Sequence, residues 1–137
     1  MERTLAIIKP DAVAANLTGR ILAMIEEKGF RILAMKMVRL RREQAEEFYA
    51  VHRERPFYSS LVRFMTEGPI VVLALERDGA IEAWRAVMGH TDSAQAAEGT
   101  IRKRFGTNIE RNCVHGSDQP ETAAVEVPFF FSAAELI

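Results

Sequence analysis

The chain has 137 residues, 48% hydrophobic and 27% charged, with 18 Lys and Arg against 19 Asp and Glu and a net charge of −1. That balance argues against a protein built mainly to coat nucleic acid, which carries a stronger basic excess. A single cysteine, Cys113, rules out an intrachain disulfide, and no second Cys or His pair stands at zinc-ligand spacing.

The size is that of one domain, residues 1–137, able to bury a core without disulfides. No apolar run approaches a membrane span. Met1-Glu2-Arg3-Thr4 leads straight into a strand pattern without the regions of a signal peptide, so the cytoplasm is the expected location.

Thr4–Lys9 reads as a buried strand, stopped by Lys9-Pro10-Asp11, where proline ends ladder bonding and keeps Lys9 out of helix. Thr18 is the expected cap of a helix over Gly19–Lys28, with Ile21, Leu22 and Ile25 inward and Gly29 as its stop. Phe30–Leu40 reads as a long strand with apolar residues on both faces, which suggests a covered sheet or a subunit contact. Glu43–His52 reads as helix, Pro56 breaks the pattern, and Ser59 or Ser60 can cap a short helix with Leu61, Val62, Phe64 and Met65 inward.

Ile70–Leu75 is the clearest central strand, followed by an Asp78-Gly79 turn and a helix over Ala80–Met88 that buries Ile81, Trp84, Val87 and Met88. His90–Asn112 is long, polar and weakly periodic, as functional excursions often are. Cys113–His115 reads as a short final strand, and Pro120 opens a helix to about Val127. The order predicts an α+β sandwich with one sheet face covered: a ferredoxin-like βαββαβ arrangement, an antiparallel four-stranded sheet with helices.

Within this frame Asn112-Cys113-Val114-His115-Gly116-Ser117-Asp118 stands out. Glycine beside His115 permits an unusual backbone or the close approach of a ligand, and Ser117 and Asp118 can hold a turn. An imidazole so displayed suits nucleophilic or acid–base work; the string also reads as a polar turn that contains a histidine. Lys9, Arg85 and Arg102, with Thr91, could form a polyphosphate site, since arginine's fork suits phosphate oxygens and lysine adds a point charge. Asn112 could meet a ribose hydroxyl, and Phe57, after Pro56, could stack on a base. Taken singly, Lys9 reads as a solvated strand-end charge, Arg85 as a surface helix arginine, Thr91 as a turn cap, and Tyr49 and Phe57 as core or edge aromatics. Glu126 reads equally as an exposed helix acid.

Several strings carry a family resemblance in the same order and spacing: Ile8-Lys9-Pro10-Asp11, Phe48-Tyr49, Arg55-Pro56-Phe57, Gly99-Thr100-Ile101-Arg102, and Asn112-x-x-His115-Gly116-Ser117-Asp118. On these the chain resembles the nucleoside diphosphate kinases across essentially its whole length. The resemblance implies Mg²⁺-dependent ping-pong transfer of the γ-phosphate of a nucleoside triphosphate, mainly ATP, to nucleoside diphosphates of any base, with the metal carried by the nucleotide phosphates. It implies His115 as the phosphohistidine nucleophile, with Lys9, Tyr49, Glu126 and Ser117 around it. It implies Lys9, Arg85, Thr91 and Arg102 as phosphate contacts, Asn112 at the ribose, and Phe57 with Leu61 at the base. Homo-oligomers, dimers that build tetramers or hexamers, are implied as well.

Three positions depart from common family patterns: Ser93 where many members have proline, His90 in place of a small residue, and Arg104 where an acid is common. They put the conformation of the His90–Asn112 segment in question. Two other function classes compete. A nucleic-acid module on such a sheet usually displays aromatics on its central strands, and Thr4–Lys9 and Ile70–Leu75 carry none. A silent nucleotide sensor is opposed by the intact motif set.

Overall fold

A computed structural model describes all 137 residues, Met1–Ile137. Four strands, β1 (Glu2–Ile8), β2 (Arg31–Val38), β3 (Ile70–Arg77) and β4 (Val114–Gly116), form one sheet in the order β2-β3-β1-β4. Every neighbouring pair is antiparallel. Helices α1 (Pro10–Ala14), α2 (Thr18–Glu27), α3 (Arg42–Phe48), α4 (Tyr58–Met65), α5 (Ala80–Met88), α6 (Ile101–Phe105) and α7 (Pro120–Phe130) pack around it. The β1-α2-β2-β3-α5-β4 path is the ferredoxin-like arrangement read from the sequence.

Alternation along β1 and β3 sends two sets of apolar side chains to opposite faces. Ala6, Ile8, Val71, Leu73 and Leu75 meet Ile21 and Ile25 of α2 and Trp84, Val87 and Met88 of α5. Leu5, Ile7, Ile70, Val72 and Ala74 meet Ala45 of α3, Val62, Phe64 and Met65 of α4, and Val127 and Phe130 of α7. Both faces are therefore covered, which corrects the expectation of one covered face. The physical reason is that both faces of the central strands are apolar, and each needs a helical layer.

Three local readings also change. Pro10 does end β1, but it then serves as the first residue of α1, with Lys9 extended before it, because a ring-fixed φ and a missing N–H suit that position. Thr18 is the first helical residue of α2, not its cap, and Ser59 and Ser60 lie inside α4, whose cap position holds Phe57; neither helix has a side-chain cap bond. The helix expected through His52 stops at Phe48 and gives way to a 3₁₀ turn over Ala50–His52. A register shift between Ile32 and Ala34 breaks the alternation of β2. It sends Leu33 and Ala34 to the same core and leaves Met35 and Met37 on this edge strand 49% and 60% exposed.

Candidate active site

His115 enters through β4, paired with Ile7 of β1, so its ring lies on the face covered by α3, α4 and α7. Its Nε2 lies 3.0 Å from Oε1 of Glu126, one turn before the end of α7. The same oxygen accepts the Ser117 hydroxyl at 2.9 Å, while Ser117 Oγ accepts the Leu5 N–H at 3.1 Å. A carboxylate can only accept, so this contact assigns the proton to Nε2 and leaves the lone pair on Nδ1. Nδ1 has no partner within the chain. Phe48 meets the ring edge-on at 5.6 Å between centroids, and Tyr49 lies at 6.4 Å.

Glycine after the histidine serves packing. A Cβ on Gly116 would collide with the Trp84 ring and the Met88 tip. Trp84 Nε1 donates to the His115 carbonyl at 3.0 Å, so α5 grips the backbone at the histidine itself. The unusual backbone is two residues upstream, where Cys113 has φ +74°. Ser117 ties β1 to Glu126 rather than holding a local turn.

A second set of residues gathers at the C-terminal end of β1. Lys9 is buried, and its Nζ donates to Oδ1 of Asn112 at 2.9 Å. Burial, reinforced by the Arg102 charge, pulls the Lys9 ammonium from its ordinary 10.5 down to about 8. The buried Asn112 carboxamide donates to the carbonyls of Thr91 and Ile109, so both its N–H groups are satisfied within the chain. Arg102 is buried too; it donates to the carbonyl of Gly89 at 3.0 Å and of Val114 at 2.7 Å, and its Nε has no partner. Burial, with Arg85 nearby, lowers its pKa to about 10, so it remains charged at neutral pH.

Two internally bonded groups thus form, His115–Glu126–Ser117 and Lys9–Asn112–Thr91, with Arg102 bracing the backbone immediately before His115. Thr91 joins through its carbonyl, while its hydroxyl is free. Arg85 is exposed beside Trp84 and makes no side-chain hydrogen bond. Phe57 is 45% exposed and stands apart from the polar groups, joined to them by an aromatic row: His52 at 5.4 Å, then Tyr49, then His115. Leu61 is half-buried, one turn into α4. Tyr49 is buried, its hydroxyl has no partner, and burial with the nearby Glu126 drives its pKa upward.

Sequence reasoning passed over His52, Phe48, Trp84 and Asp11. Of these, Phe48 and Asp11 carried a signal, as parts of the Phe48-Tyr49 and Ile8-Lys9-Pro10-Asp11 strings, while Trp84 was read only as a buried helix residue. The polar segment holds two ordered pieces, a 3₁₀ turn over Ser93–Gln95 and α6, whose Thr100 accepts the Lys103 N–H. Thr100 before Ile101 was the available helix-start signal. Ser93 is buried and its hydroxyl donates to the Asn108 carbonyl at 3.3 Å; His90 Nδ1 accepts the Asp92 N–H; Arg104 lies over the Phe105 ring.

A free imidazole nitrogen, one residue after the carbonyl that buried Arg102 holds, suits a phosphotransferase, in which positioning and charge carry most of the catalysis. The sequence matches the family model for nucleoside diphosphate kinase over residues 2–136. It is 58% identical over 137 residues to a nucleoside diphosphate kinase of Geobacter sp. (strain M21), covering all of both chains, and 53% identical to one of Persephonella marina, covering all of this chain and 98% of the other. The solved structure of the Aquifex aeolicus nucleoside diphosphate kinase superposes with a TM-score of 0.98 at 47% identity, over 99% of each chain. That of Halobacterium salinarum, in complex with CDP, gives 0.96 at 38% identity, over 99% of this chain and 91% of the other. The chain belongs to the nucleoside diphosphate kinase family, and its activity is phosphate transfer between nucleotides.

Proposed function

We propose that His115 carries the phosphoryl group covalently between two nucleotides that use one site in turn. The Nδ1 lone pair attacks the γ-phosphorus of a nucleoside triphosphate, mainly ATP. The bond to the bridging oxygen breaks, and the diphosphate leaves with the electron pair. A second diphosphate then attacks the phosphorus through a terminal β-phosphate oxygen, the N–P bond breaks, and the ring returns to its starting form. The observation that carries this reading is the asymmetry of the imidazole, with Nε2 engaged by Glu126 and Nδ1 free. Glu126 and Ser117 orient the ring, and the carboxylate offsets the positive charge that develops on it. Tyr49 and Phe48 wall the ring from the side.

Lys9, Arg85, Arg102 and the Thr91 hydroxyl supply donors for phosphate oxygens, charge-assisted where cationic. Asn112, which accepts from Lys9 Nζ, is the residue that the family resemblance puts at the sugar. Phe57 supplies a stacking surface flanked by Leu61; stacking ignores base identity, so purine and pyrimidine nucleotides should both serve. The relative complexed with CDP supports the pyrimidine half of that reading. The family implies Mg²⁺, which would arrive on the nucleotide phosphates, keep its own waters and neutralise charge on the transferring group.

The span of the family model supports reading residues 1–137 as one domain. Assembly through β2 is part of the same reading, because exposed Met35 and Met37 lie on an edge strand, which a dimer would cover before building a tetramer or hexamer. No helix is long and apolar enough to cross a membrane. A cytoplasmic location suits the free Cys113 thiol and the nucleotide substrates.

The test is a two-stage label transfer. Protein incubated with γ-labelled ATP and Mg²⁺, then freed of nucleotide, should hold acid-labile label and release it as triphosphate on adding GDP or CDP. Folded protein that never takes label, or label that CDP cannot discharge, would refute the cycle.

A further inference from the structure

The corner that delivers His115 contains a residue in a conformation it resists. Cys113 has φ +74°, where a side chain crowds the following carbonyl, and backbone outliers of this kind persist only when their surroundings impose them. Three contacts surround it. The Cys113 N–H donates to Oδ2 of Asp11 at 3.1 Å, its carbonyl accepts the Lys9 N–H at 2.8 Å, and the preceding Asn112 is bound by Lys9 Nζ. The next residue, Val114, begins the strand that carries His115 in register with Ile7. Of the atoms in this knot, Asp11 Oδ1 is buried without a hydrogen-bond partner, and the Cys113 thiol lies close enough to feel the carboxylate.

We propose that Asp11 is a positioning residue for phosphoryl transfer, its carboxylate holding Cys113 in the left-handed conformation that seats Asn112 against Lys9 and sets β4 in the register that presents His115. The inference rests on the reaction proposed above. It assigns Asp11 no contact with nucleotide. The carboxylate also supports the charge of Lys9, which burial and Arg102 oppose.

If Asp11 acts through the backbone of Cys113, a glycine at that position should make it dispensable, because glycine adopts positive φ without strain. The experiment compares wild type, Asp11→Ala, Asp11→Asn, Cys113→Gly, Asp11→Ala/Cys113→Gly and Asp11→Ala/Cys113→Ala, by kcat/KM for ATP and GDP and by hydrogen exchange at the residue 113 amide. Asp11→Ala should lower kcat/KM by about 10- to 100-fold, the scale of a misplaced catalytic group, and lose amide protection. Asp11→Asn, which keeps the acceptor, should recover most of both. The glycine double variant should match Cys113→Gly alone, and the alanine double variant should stay as impaired as Asp11→Ala. Wild-type turnover in Asp11→Ala, or no recovery with glycine, overturns the proposal. Should Asp11→Ala fail to fold, a folded and active glycine double variant supports the proposal and an inactive one refutes it. A wild type that never phosphorylates would refute the proposed reaction instead, while the amide exchange still tests the hold of Asp11 on Cys113.

Discussion

Two hydroxyl or imidazole donors converge on one oxygen of Glu126, and that convergence ranks two substitutions. His115 Nε2 and Ser117 Oγ reach Oε1 at 3.0 and 2.9 Å. The imidazole and carboxylate side chains are only 19% and 13% exposed, so the pair is not a screened surface contact. Glu126→Gln keeps an oxygen for both donors and loses the charge. A hydrogen bond to a charged group contributes about 1.5–3 kcal/mol and a neutral one about 0.5–1.5. The difference, about 1–1.5 kcal/mol, corresponds to roughly tenfold in rate. Glu126→Ala removes the acceptor, leaves the ring free to rotate and exchange tautomers, and orphans the Ser117 hydroxyl, so the loss should reach roughly 10²-fold. Rapid-quench measurement of acid-labile phosphate formed in a single turnover isolates this step, with Tm recorded alongside to separate unfolding from chemistry. Equal single-turnover rates for wild type and Glu126→Ala would refute the orienting role. A glutamine variant slower than alanine would show that the amide presents its N–H₂ to the ring instead.

Lys9 yields a pH dependence. With its pKa near 8 in the free protein, kcat/KM should fall as pH rises through about 8, while kcat, governed by the nucleotide-bound state, holds to higher pH; a flat kcat/KM from neutrality to mildly alkaline pH would contradict it. The same depression makes the unfolded chain bind more protons between about 8 and 10.5, so Lys9 makes folding stability rise with pH across that window. Burial pushes the Cys113 thiol from 9.0 up to about 12, which opposes this above pH 9. The rise should therefore be visible in denaturant titrations between pH 8 and 9 and absent in Lys9→Met. Arg102→Ala should lose roughly 10²–10³-fold in single-turnover rate and also lower Tm, and Arg102→Lys should restore little of either, because an ammonium cannot span both the Gly89 and Val114 carbonyls. Phe57→Ala should raise KM for ADP, GDP and CDP alike by roughly 5- to 150-fold, the equivalent of about 1–3 kcal/mol of stacking; an effect confined to one base would contradict an indifferent surface.

Strands β1 and β3 and helices α2 and α5 were legible because unbroken apolar runs and helical periodicity leave little choice. The second helical layer was not: α3 and α4 each show an inward stripe and α7 shows almost none, and no stripe states which sheet face it covers. Helix α6 was hidden because its buried residue beside Ile101 is Arg102, a cation bonded to carbonyls, which no apolar pattern registers. The site residues were legible as a set only through the family resemblance, since Glu126 alone reads as a solvated acid and Lys9 as a strand-end charge. Structure adds what no local string contains: the Trp84 hold on the His115 carbonyl, the strain at Cys113, and the long-range bond from Ser117 to β1.

The most direct measurement is ¹⁵N–³¹P correlation NMR on protein labelled in its histidine rings and loaded with phosphate from ATP. Coupling between phosphorus and Nδ1 of His115, lost when CDP is added, is the expected result. Phosphate on Nε2, on Ser117, or on His52 or His90 would contradict a phosphoryl group carried by the nitrogen that Glu126 leaves free.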